Sequence, residues 1–137
     1  MTFILHPRLA DDTLPLGDLA LCRALLMNDA RFPWLLLVPR RADLRELSDL
    51  TAAERSTLME EVASTSRIVQ EITGAYKMNV GAIGNIISQL HVHIVARFEA
   101  DAAWPAPVWG FGRTRAYTGT EAKTLASTLI TALDIPH

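Results

Sequence analysis

The sequence has 137 residues but a single cysteine, Cys22, and only four histidines. One thiol makes no internal disulfide, and a lone cysteine suits a reducing compartment. Cys22 sits in the apolar run LALCRALLM, where a small buried core residue is expected rather than a nucleophile. An excess of charge of one sign is also missing. Thirteen Lys and Arg stand against 15 Asp and Glu, for a formal net charge of -2. That leaves no basic footprint for a nucleic acid and no polybasic run for a membrane surface. No apolar run approaches about 18 residues, so no spanning helix is expected. The opening MTFILHPRLADD lacks a basic n-region, and its apolar stretch is short for a signal peptide. These absences point to a cytoplasmic protein. The sequence also has no internal repeat, low-complexity tract or linker. Its length suits one domain over 1–137 with a sizeable core.

What is present alternates between strand-like and helix-like patterns. FIL (Phe3 to Leu5) reads as a short strand ended by Pro7, and Asp11 to Asp18 reads as turn, with Pro15 and Gly17. Leu19 to Met27 and Trp34 to Val38 read as two strands, joined as an antiparallel hairpin across Asn28 to Pro33. The clearest helix runs from Thr51 to Thr73. Thr51 and Glu54 have capping-box spacing, and Leu58, Val62, Val69 and Ile72 share a face. Gly74 is a natural stop. Lys77 to Gly84 and Gln89 to Phe98 read as two further strands around a turn at Asn85. After the irregular AWPAPVWGFG, a last helix is expected from about Thr120 to Leu133, with Thr118 and Glu121 at its start. The class is α+β: a mainly antiparallel sheet with helices on one face.

The chemistry concentrates in QLHVHIVAR, Gln89 to Arg97. With a strand period of two, Leu90, Val92, Ile94 and Ala96 point one way, and Gln89, His91, His93, Val95 and Arg97 the other. Same-face residues lie about 7 Å apart, so two imidazoles can converge on one phosphate. Four readings of this face compete. It is a solvated polar face, a metal site, a histidine nucleophile, or the same pocket used only to bind. A metal site needs a third ligand, and the remaining histidines, His6 and His137, stand near the termini.

The motif Gln89-Leu90-His91-Val92-His93-Ile94-Val95 resembles the signature of the histidine triad (HIT) family, in which three histidines alternate with apolar residues. LLMND followed by a proline, LLLVPRR, the capped helix and NVGAIGN agree with the family in order and type. The resemblance covers about 19–98, with 99–137 as a C-terminal extension. It implies binding of a purine nucleotide and cleavage at its α-phosphate, as in dinucleoside polyphosphates or nucleoside phosphoramidates. It implies His91 as nucleophile, His93 on the phosphate, and Gln89 in place of the first histidine. Asn28, with Asp29 as second choice, would meet the ribose hydroxyls. Asn79, Gly84, Asn85 and Ser88 would surround the phosphate. No metal or other cofactor is implied, and a homodimer is. Three departures stand out. Gln89 breaks the triad, Trp34 holds a place where a histidine is common, and Ala42 holds another. The alternatives are therefore a binding module with impaired turnover and, after it, a metal-dependent hydrolase. Arg40 and Arg41 read as an exposed basic turn, and Arg97 as a pocket flank or a surface ion pair. Trp104 and Trp109 line a base pocket or a partner site, or pack the C-terminal segment.

Overall fold

A computed structural model describes residues 2–136. Five strands form one antiparallel sheet: β1 (Thr13–Asp18), β2 (Cys22–Met27), β3 (Trp34–Pro39), β4 (Lys77–Gly81) and β5 (Val92–Arg97). Their order is β1-β2-β3-β5-β4, so the histidine strand β5 lies inside the sheet and β4 forms an edge. The helices are α1 (Pro7–Asp11), α2 (Ala52–Thr73) and α3 (Gly119–Ala132). Among the described residues no helix is long and apolar enough to cross a membrane.

The helix ends follow from local chemistry. Thr51 Oγ1 accepts from the Glu54 N–H, and the Glu54 carboxylate accepts from the Thr51 N–H. Thr118 and Glu121 repeat the arrangement at α3. Each pair satisfies N–H groups that the first turn leaves without partners. Gly74 ends α2 with φ 71°, a left-handed conformation that costs glycine least.

The alternation along β5 is realised. Leu90, Val92, Ile94 and Ala96 enter a core shared with Leu58, Val62 and Val69 of α2 and Leu129 of α3. The opposite face is covered too. Phe3, Leu5 and Leu9 from the N-terminal residues, and Ala103, Val108 and Trp109 from the segment after β5, pack with Leu25, Trp34, Leu36 and Val95. β5 is thus buried along its whole length. Cys22 lies in the first core with no exposed surface.

Two expectations near the N-terminus need correction. Phe3 to Leu5 form no strand; Phe3 and Leu5 instead pack as irregular chain on the sheet. The run expected as turn is β1, paired with β2, with a register shift between Pro15 and Gly17. An edge strand tolerates a proline, because its outer N–H needs no ladder partner. The hairpin, α2 and α3 stand as expected to within a residue at their ends, except that the first hairpin strand begins three residues later, at Cys22 rather than Leu19. The two later strands are shorter, because 82–91 is mostly irregular.

Candidate active site

The two histidines are built in opposite chemical senses. The His91 Nδ1–H donates to the Gln89 carbonyl at 2.6 Å. A carbonyl only accepts, so Nδ1 carries a proton, and in the neutral ring the lone pair is left on Nε2. His93 Nδ1 instead accepts from the Trp34 indole N–H at 3.0 Å. Indole only donates, so His93 carries its proton on Nε2. The rings sit 4.9 Å apart, nearly edge to face. The site therefore offers one nucleophilic nitrogen beside one N–H donor.

Burial and the neighbouring His91 push the His93 pKa down to about 3. Desolvation disfavours the imidazolium, so His93 stays neutral in ordinary buffers. The Trp109 ring packs against His93 at 5.5 Å and against Trp34 at 6.5 Å. Its indole nitrogen is buried without a hydrogen-bond partner. Gly81 pairs with His93 across the ladder, and a Cβ added there would meet the Trp109 ring at 3.3 Å.

A cavity of about 250 Å³ opens beside His91, which lines it with Gly84, Ser88, Gln89, Arg45 and Ser48. Gly84 adopts φ 67°, which lets the loop turn back toward β5. The Leu90 N–H donates to Leu44 O at 2.9 Å and fastens the loop's far end.

The remaining candidates are placed less uniformly. Asn85 is exposed and does not line the cavity. Asn79 accepts from the Arg97 guanidinium at 2.8 Å through its amide oxygen. Asn28 Oδ1 accepts from the Tyr117 N–H, and Asp29 is fully buried against Arg31 and the Arg115 N–H. Both turn residues thus tie the C-terminal segment to the hairpin. The Gln89 amide does not reach into the imidazole row. Its oxygen accepts from the His6 N–H at 2.8 Å and its nitrogen donates to Ile4 O at 2.9 Å.

Arg97 flanks no pocket and forms no surface pair. It is buried in a two-pronged pair with Asp101, and Trp104 packs on it. Arg40 and Arg41 are also engaged, with the Leu19 and Ala20 carbonyls and with Glu54. Among the described residues no group of three or more His, Cys, Asp or Glu is placed to hold a metal ion; His137 lies outside them. Sequence reasoning missed the part played by Trp34. Its signal was the position itself, on the same strand face as the residue paired with His93.

A five-stranded antiparallel sheet carries two imidazoles on its interior strand β5, and one of them lines the smaller cavity. The chain matches the HIT domain over residues 11–100, and it belongs to that family. It is similar to a histidine triad protein from Bradyrhizobium japonicum, with 46% identity, a TM-score of 0.95 and coverage of 97% of this chain and 99% of that one. A histidine triad protein from Marinobacter aquaeolei VT8 shows 41% identity and a TM-score of 0.96, with 98% of each chain covered. Among curated proteins, an "AP-4-A phosphorylase" of Mycobacterium tuberculosis is 35% identical over 74 residues, covering 50% of this chain and 37% of that protein. A "Bis(5'-nucleosyl)-tetraphosphatase [asymmetrical]" of Schizosaccharomyces pombe is 32% identical over 72 residues, covering 49% of this chain and 39% of that protein. The chain thus matches less than two-fifths of the length of these curated relatives.

Proposed function

We propose that the protein is a nucleotidyl hydrolase or transferase that cleaves at the α-phosphate of a purine nucleotide derivative through a nucleotidyl-His91 intermediate. The observation that carries this reading is the 2.6 Å bond from His91 Nδ1 to the Gln89 carbonyl, which leaves Nε2 with its lone pair beside the cavity. Nε2 attacks the α-phosphorus, a P–N bond forms, and the bond to the leaving group breaks with its electron pair. Water then attacks the same phosphorus and restores His91. One hard displacement becomes two easier ones. The His93 Nε2–H and the backbone around Gly84 supply donors to the non-bridging oxygens as charge builds there. The names of the two curated relatives support dinucleoside polyphosphates as the substrate type; nucleoside phosphoramidates belong to the same chemistry.

His91→Ala is expected to abolish release of nucleoside monophosphate from diadenosine tetraphosphate and from adenosine phosphoramidate. In quenched single turnovers, intact-mass spectra of the wild type should gain one nucleotidyl group. Undiminished turnover by the alanine variant would end this reading.

A second reading is a nucleotide-binding module without turnover. It is favoured by the commitment of the Gln89 amide to Ile4 and His6, which leaves no titrating side chain at the first triad position. Micromolar binding by calorimetry with no product after long incubation would select it. We further propose pairing as a homodimer through edge strand β4, where Val80 and neighbouring Tyr76 are exposed. Light scattering should then return a mass twice that of the chain.

A further inference from the structure

Beside the small cavity lies a larger one of about 840 Å³. The two share three lining residues, Arg45, Ser88 and Gln89, so they meet along one wall. The far side of the larger cavity is the N-terminal segment, including Ile4 and His6. That segment has no strand to hold it. Its hold on this wall is the Gln89 amide, which clamps it by one acceptor and one donor bond. Gln89 and Ala42 are two of the places where the sequence departs from the family's histidines, and both line this cavity. The imidazole that does line this cavity, His6, comes from far away in sequence.

The His6 ring is oriented chemically. Its Nδ1 accepts from the Arg8 N–H at 3.1 Å, capping α1. Its available donor is therefore Nε2–H. A volume of about 250 Å³ falls below the usual range of sites for whole small ligands, whereas 840 Å³ lies within it. An α-phosphate held at His91 has the larger cavity across the shared wall as room for one of its two substituents. The side beyond the α-phosphate carries further anionic oxygens in a polyphosphate. Arg45, the Ser88 hydroxyl and His6 offer it a cation and donors, and Ile4, Pro7 and Leu44 offer apolar surface beyond them.

We propose that the larger cavity is a leaving-group subsite, that it takes the distal phosphates and second nucleoside of a dinucleoside polyphosphate, and that His6 is a substrate-binding residue in it. This rests on the nucleotidyl-transfer reading above. Gln89 is then a positioning residue that builds the subsite wall, in place of a triad imidazole.

The test uses histidine-ring NMR on the His91→Ala protein, which should keep the substrate intact, with signals assigned by His6→Asn and His93→Asn. The asparagine at position 6 keeps an acceptor for the Arg8 N–H. Diadenosine tetraphosphate is expected to move both the His93 and His6 signals, and AMP to move His93 alone. His6→Asn should weaken binding of the dinucleotide about 10-fold, the worth of one hydrogen bond, and leave AMP affinity within two-fold. A His93 shift without a His6 shift overturns the subsite while sparing the nucleotide reading. A His6 shift with AMP as large as with the dinucleotide also overturns it, because the cavity then holds the transferred nucleotide. If no histidine responds to either probe, the nucleotide reading falls and the subsite with it.

Discussion

The two ends of the histidine strand are held by different chemistry. At its C-terminal end, Arg97 grips Asp101 with two nitrogens and also donates to Asn79 and Ala106. Asp101 in turn accepts from the N–H groups of Phe98, Ala103 and Trp104. The two side chains are 1% and 3% exposed. Just before its N-terminal end, one neutral amide, Gln89, holds an irregular segment by two bonds at the rim of an open cavity. Both devices pin a chain segment across the histidine face. The first is a dense charged lock under the aromatic wall. The second is a light clamp beside the proposed leaving-group subsite. The charged lock lies away from the opening, and the opening is walled by irregular chain that Gln89 holds through two neutral bonds.

The sharpest break in this contrast is Arg97→Ala. It strands a buried carboxylate, so a loss of about 3–5 kcal/mol is expected in urea unfolding. A double change, Arg97→Met with Asp101→Leu, should recover only part of that loss, because the isolated charge goes but the N–H groups of Phe98, Ala103 and Trp104 lose their acceptor. Undiminished stability in the alanine variant would mean that the lock is not one.

Acid should separate the two ends by pH. His93 is held neutral, with its pKa lowered from 6.5 to about 3. The unfolded chain takes up a proton there that the folded chain refuses, so this contribution is intact above pH 6.5 and declines as pH falls toward 3. Asp101, lowered from 3.8 to about 2 by Arg97 and by backbone donors, loses its contribution only as pH falls below 3.8. Stability measured from pH 7 to 4 should therefore fall in the wild type and fall less in His93→Asn. Equal slopes would contradict the buried neutral imidazole.

Trp34→Phe keeps a ring but removes the donor to His93. A cost of about 1 kcal/mol in stability is expected for one buried hydrogen bond. The pH profile of kcat/KM should shift as His93 becomes free to change tautomer. Trp34→His should restore the profile, and a simple packing role for the indole would leave it unmoved. The smallest effect is expected from Gln89→Ala, about 0.5 kcal/mol in global unfolding, because its two bonds lie at the cavity rim rather than in the core. Its signature is local: faster hydrogen exchange at the His6 amide with the core amides unchanged. Uniform acceleration across the sheet would show the clamp to be part of the global fold.

Period and capping made much of the molecule legible in the sequence. The β5 alternation, the two capping boxes and the hairpin depend on residues near one another in the chain, and the structure realises them. β1 was hidden because Pro15 and Gly17 read as turn wherever strand pairing is not known. The site divided along the same line. His91 and its tautomer-fixing carbonyl lie two residues apart. The partners of Gln89 lie 83 and 85 residues away, and Trp34 lies 59 from His93. The bonds from Asn28 and Asp29 to the backbone at Tyr117 and Arg115 were not legible, because that backbone belongs to a segment without periodicity. Local pattern shows which side chains share a face, and it is silent on what the rest of the chain lays across that face.

The segment clamped by Gln89 starts within a few residues of Met1. An affinity tag or fusion joined ahead of Thr2 would adjoin the wall of the larger cavity. The placement of a purification handle, normally a matter of convenience, becomes an alteration of the pocket itself. In the proposed subsite, a tag ahead of Thr2 is expected to change KM for a dinucleoside polyphosphate more than a tag at the other end does.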